Sequence, residues 1–133
     1  MSRIRKICIA LVCCLAAIAL APAGTASATT WILVGCANTS YSGAKICFYY
    51  ASGLQMQGRF INGSSQNITN QGQFAVSAGP GSAQLCGVAT TAAYTTSICA
   101  KTALSGVTYY LDDRYHINGT SYDQFVNTAS HKF

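Results

Sequence analysis

Along residues 29–133, no window of helical length keeps its apolar residues at helical spacing without Gly, Thr or Ser breaking it. Short runs of β-branched and aromatic residues recur instead, at 31–34, 46–50, 59–61, 73–76, 84–89, 97–100, 107–111 and 122–126. Such residues suit a pleated, half-buried surface, and the chain contains no Glu, one of the better helix formers. Turn formers punctuate the runs: Asn62-Gly63, Asn118-Gly119, Gly53, Gly72 and the stretch Ala78-Gly79-Pro80-Gly81-Ser82. Short strands at this spacing predict an all-β sandwich or barrel. The 78–82 stretch divides it into halves of about 29–78 and 83–133.

The first 28 residues are different in kind. Arg3, Arg5 and Lys6 precede an apolar stretch over 7–20, followed by Pro22 and the tail Ala26-Ser27-Ala28. A basic start, an apolar middle and an A-x-A site are the three parts of an export signal. The apolar stretch is short of the roughly 20 residues that span a bilayer. We therefore expect a signal peptide over 1–28 and one secreted, extracellular domain over 29–133 with no membrane span. A retained anchor and a lipid-modified Cys13 are the alternatives.

Cleavage would change the charge more than the totals suggest. Of eight Lys and Arg, three lie in the leader, so five remain against three Asp, a net charge of 5 − 3 = +2. Lys45, Arg59, Lys101, Arg114 and Lys132 are scattered, whereas nucleic-acid binding needs clustered phosphate contacts. No nucleic-acid partner is expected.

Four cysteines follow the leader: Cys36, Cys47, Cys86 and Cys99. An even number in an exported chain predicts two disulfides. Pairing Cys36 with Cys47 and Cys86 with Cys99 is preferred, because each pair flanks its own turn-rich segment, while the crossed pairings stay open. Each local bridge would contribute roughly 2 to 3 kcal/mol in the chain-entropy account. No C-x-x-C spacing occurs, and His116 and His131 lie far from every Cys, so no metal site or cofactor is expected.

The halves carry a related pattern. Tyr49, Leu54 and Gly58 in the first answer to Tyr110, Tyr115 and Gly119 in the second, which predicts two equivalent hairpins. This pattern in a small secreted chain resembles the βγ-crystallin fold and its exported bacterial members, which include metalloproteinase inhibitors and killer-toxin-like proteins. The resemblance covers about residues 44–133 and implies a Greek-key β-sandwich of two related halves, here braced by disulfides. The sequence departs from the family pattern in three ways: Gly falls four residues after the second aromatic instead of two, Leu54 stands where an aromatic is expected, and Val126 stands in the place of a calcium-facing acid or amide before Asn127-Thr128-Ala129-Ser130. Calcium needs several oxygen ligands, so we expect none bound.

Catalytic chemistry has little to draw on. His116 lies near Asp112 and Asp113, but Asp112-Asp113 reads as turn-flanking sequence, and there is no G-x-S-x-G elbow. Paired carboxylates would need Asp123 with one of the other two. We assign no catalytic residue. The small, uncharged segment 89–96 lies between Cys86 and Cys99, which would tether it as a preorganised loop. Thr91, Ala92, Ala93, Tyr94 and Thr95 are its candidate binding residues, with Tyr94 the anchor; the competing reading is a plain connection, or a strand with Tyr94 in the core. Asn38, Asn62, Asn67 and Asn118 begin N-x-S/T triplets. The expected function is a secreted, monomeric binding domain, most concretely an inhibitor of an extracellular protease. The alternatives are an antimicrobial or killer-toxin-like protein acting on a competitor's cell surface, and a structural coat protein.

Overall fold

A computed structural model describes residues 28–117 and 124–133, so leader residues 1–27 and residues 118–123, with Gly119 and Asp123 among them, lie outside the described residues. The described chain is all-β, and each expected run becomes a strand: β1 (Ile32–Asn38), β2 (Ala44–Ala51), β3 (Gln55–Asn62), β4 (Ile68–Ala78), β5 (Gln84–Thr91), β6 (Thr96–Thr102), β7 (Thr108–Ile117) and β8 (Gln124–Lys132). They form two antiparallel four-stranded sheets, ordered β1-β2-β3-β6 and β5-β4-β7-β8. β1 lies against β8 on one side of the sandwich and β6 against β5 on the other.

Alternation along the strands builds the core. Ile46 and Phe48 of β2, Met56 and Phe60 of β3, Ile68 and Phe74 of β4, and Tyr109, Leu111 and Tyr115 of β7 point inward and are buried. Phe48 meets Phe74 with ring centroids 5.5 Å apart, joining the two sheets at the centre.

The central ribbon positions everything that follows. β3 pairs with β6 and β4 with β5, so residues 55–78 and 84–102 form one long two-stranded ribbon. It bends from one sheet into the other where 62–67 meets 92–95. The bend is tight: a Cβ on Gly63 would lie 2.4 Å from the Gly43 carbonyl oxygen, a distance that no side chain tolerates. Asn62-Gly63 thus marks a corner in addition to a turn.

Both preferred disulfides are present, as Cys36–Cys47 and Cys86–Cys99. The first joins directly opposed residues of β1 and β2 within one sheet. The second ties edge strand β5 to edge strand β6 across the sandwich. Two such bonds point to an oxidising compartment.

The expected equivalence of the halves is corrected. Tyr49 and Gly58 sit on paired strands β2 and β3, with Leu54 in the turn between them at φ 61°. Tyr110 and Tyr115 both lie within β7, which runs unbroken through Asp112-Asp113. Tyr109, Leu111, Asp113 and Tyr115 alternate inward along it, leaving no place for a turn. Each half keeps three strands in one sheet and lends one to the other, but the first lends its fourth (β4) and the second lends its second (β6).

Candidate functional site

The ribbon corner carries the most exposed aromatic side chain among the described residues. Tyr94 is 73% exposed at the tip between β5 and β6. The tip is a four-residue turn closed by the Thr95 N–H donating to the Ala92 carbonyl at 3.2 Å. Tyr94 occupies the third position at φ 57°, a left-handed backbone that bulky residues rarely adopt. Such a conformation persists only where its surroundings hold it.

Those surroundings are a polar clamp from the facing loop. Asn62 is almost fully buried, and its amide donates to the carbonyls of Gln66 (2.7 Å), Thr91 (3.0 Å) and Ala92 (3.1 Å). Its side-chain oxygen accepts from the Ser64 N–H at 3.0 Å. The Ala93 N–H donates to Asn67 Oδ1 at 3.1 Å, the Tyr94 N–H to the Ser64 carbonyl at 3.2 Å, and the Asn62 N–H to the Thr95 carbonyl at 2.9 Å. The tip is thus held by its neighbours while the Tyr94 ring stands in solvent.

The candidate residues divide accordingly. Tyr94 and Thr95 are exposed with Ala92, and Ala93 is half-buried. Thr91 belongs to the interior: it is 2% exposed, and its hydroxyl shares hydrogen bonds with Asn70 Oδ1 (3.1 Å) and Ser97 Oγ (2.8 Å). It cannot meet a partner, because as the last residue of β5 it pairs with core Ile68 and shares its inward face. Asn62, the first residue of one N-x-S/T triplet, is likewise buried, whereas Asn38 and Asn67 are exposed. Asn118 lies outside the described residues.

Beneath the tip, edge strands β5 and β6 leave a cleft of about 60 Å³ between the sheets. The Cys86–Cys99 bridge crosses it, Ile46, Phe60 and Leu111 wall it, and Asn70, Ser97 and Asp113 bring polar groups into it. Asp113 is 2% exposed, and among the described residues neither carboxyl oxygen has a partner at full hydrogen-bonding geometry. Burial pushes this carboxyl up to about 7; the nearby Asn70 side chain pulls it down and the Asp112 charge adds to the rise. Nothing in the residue pattern singled out Asp113 from Asp112. Only the register does, since neighbours on a strand face opposite ways.

The other titratable candidates do not converge with it. Asp112 faces outward, accepting from the Gln73 amide at 2.9 Å and, with the Asn127 amide correctly oriented, from that group at 2.8 Å. His116 shares that outer face with Asp112 and Arg114, so Asp113 cannot complete a triad with it. Arg114 stacks over the exposed Phe125 ring at 4.8 Å.

Set against known proteins, the chain matches no family model, no curated protein and no solved structure.

Proposed function

We propose that the chain is an extracellular binding domain that presents the β5–β6 corner to a macromolecular partner, with Tyr94 as the anchor. One observation carries the reading: an exposed aromatic side chain on a backbone already locked by the Asn62 and Asn67 hydrogen bonds and by the Cys86–Cys99 tether. A rigid aromatic gives up little conformational entropy on binding and buries a large area. The polar lining around it is that of a held surface loop.

The binding reading is broader than protease inhibition, and the tip geometry favours the broader form. A substrate-like inhibitor loop must enter a protease cleft extended over several residues, whereas Ala92 to Thr95 are closed into a hydrogen-bonded turn. Read around the sandwich as β1-β2-β3-β6-β5-β4-β7-β8, the strand order sets β3 beside the far end of the β4-β5-β6 run. We take this to be the Greek-key arrangement that the family resemblance implies.

Selection of displayed peptides on the disulfide-bonded protein tests the proposal. Enrichment of binders that is lost on Tyr94→Ala is expected; no enrichment, or enrichment indifferent to Tyr94, would refute it. Titration against a metalloproteinase and a subtilisin-like protease addresses the narrower reading, and stoichiometric inhibition of either would reinstate it.

A further inference from the structure

The cleft below the Tyr94 tip holds a feature that the binding reading leaves unused. Asp113 is an acid buried between two sheets, and among the described residues neither oxygen has a partner at full hydrogen-bonding geometry. Buried charges are normally paired, because the loss of hydration is otherwise uncompensated. A lone carboxyl at the floor of a cleft is a group waiting for a counter-charge or a donor.

We propose that the β5–β6 cleft receives one alkylammonium group, a lysine side chain of a partner protein, with the Asp113 carboxylate as its counter-ion. The proposal rests on the binding-domain reading and names the partner chemistry for it. The walls fit the guest: Ile46, Phe60 and Leu111 offer apolar contact to a methylene stem, while Asn70 and Ser97 add polar groups near the floor. Lysine side chains commonly bury the stem and direct the head to a polar group.

Gly72 leaves space beside the acid. It lies opposite Asp113 in the β4–β7 ladder, and a Cβ there would sit 3.3 Å from Asp113 Oδ1 and 3.7 Å from the Cys86 Cβ. Any larger residue would fill the space between the acid and the bridge.

Among the described residues, no cation takes the place. Arg59 reaches the cleft mouth, but its guanidinium lies 4.2 Å over the Tyr49 ring and its Nε donates to Gln57. On β7, Asp112 and Arg114 project to the opposite face. The Tyr115 phenol, inward on the same strand, is held by the Ser40 N–H at 2.8 Å. Lys101 of β6 lies opposite Met56, and His131 and Lys132 of β8 lie opposite Tyr109 and Thr108, at the far ends of their strands. Lys45 of β2 faces outward, β4 carries no titratable side chain, and on β5 the sole such residue, Cys86, is oxidised.

A chemical-shift titration of the disulfide-bonded protein with n-butylammonium, n-butanol and butyrate tests this. Saturable shifts at Gly72, Ser97 and Asp113 are expected with butylammonium, at least tenfold tighter than with butanol, and none with butyrate. Because Asp113 ionises near pH 7, binding at pH 6 should be nearly tenfold weaker than at pH 8. Asp113→Asn should remove the preference for the amine, and Gly72→Ala should weaken binding at least tenfold. Should Asp113→Asn not fold, Gly72→Ala and the pH series decide alone. Equal binding of butanol and butylammonium, or no saturable shift with either, would overturn the proposal. A failed peptide selection with intact amine binding counts against the corner alone, and the reverse against the cleft alone.

Discussion

The two sides of the sandwich solve the same closure problem by different means. Where β1 meets β8, packing closes the gap. A Cβ on Gly35 would lie 3.3 Å from the Ala129 Cβ, His131 stacks on Tyr50 at 3.9 Å, and Phe133 packs edge-on to His131 at 4.8 Å. Where β5 meets β6, a covalent bridge spans a cleft that contains a buried acid. The Cys36–Cys47 bond, on the packed side, joins strands that the ladder already holds. The lesson is that a disulfide can reinforce packing or replace it, and only the second use leaves room for a ligand.

The largest effect that would separate the two sides is a pH response. Between the unfolded value of 3.8 and about 7, the folded chain keeps the Asp113 proton that the unfolded chain has lost. Stability should therefore fall as pH rises through that window and level off above it, a loss on the order of 4 kcal/mol from this group. Denaturant unfolding across pH 4 to 8 should reveal the decline, and Asp113→Asn should flatten it. An Asp113→Asn profile parallel to the parent's would mean that the acid is not buried as described.

Next in size are the bridges. Their sequence separations of 11 and 13 residues are so close that chain entropy alone assigns each roughly 3 kcal/mol. Replacing Cys86 and Cys99 together by Ser should cost more than replacing Cys36 and Cys47 in the same way, because no backbone ladder joins β5 to β6 and, beyond the corner, only side-chain bonds such as Gln84 to the Thr102 carbonyl and Thr91 to Ser97 link them. Equal losses in chemical denaturation would break the comparison.

Smaller is the effect of removing the corner clamp. Asn62→Ala strands the carbonyls of Gln66, Thr91 and Ala92, at a cost of about 2 kcal/mol. It should also lower hydrogen-exchange protection at Thr95 ahead of the core strands. The smallest effect lies on the packed side, where burial holds His131 below its usual value of 6.5. Stability from that stack should decline as pH falls below 6.5, opposite in direction to Asp113, and His131→Phe should remove the decline.

Much of this was legible in the residues themselves. β-branched and aromatic runs marked all eight strands, and turn-rich spacing marked both bridges, because these depend on neighbours in sequence. The parts that depend on register were hidden. Asp112 and Asp113 are chemically alike, and only the ten-residue length of β7 turns one outward and the other into the cleft. Thr91 looked like loop, yet the ribbon corner begins one residue later and draws its hydroxyl inside. The apparent repeat failed for the same reason: matched aromatics fell on a hairpin in one half and along a single strand in the other.

The central claim is that the tip is rigid while its aromatic side chain is exposed, and backbone ¹⁵N relaxation at Ala93, Tyr94 and Thr95 tests it directly. Order parameters of about 0.85 are expected there, equal to those of the core strands, falling in Asn62→Ala. Values below roughly 0.6 in the parent protein would describe a flexible loop and contradict the account.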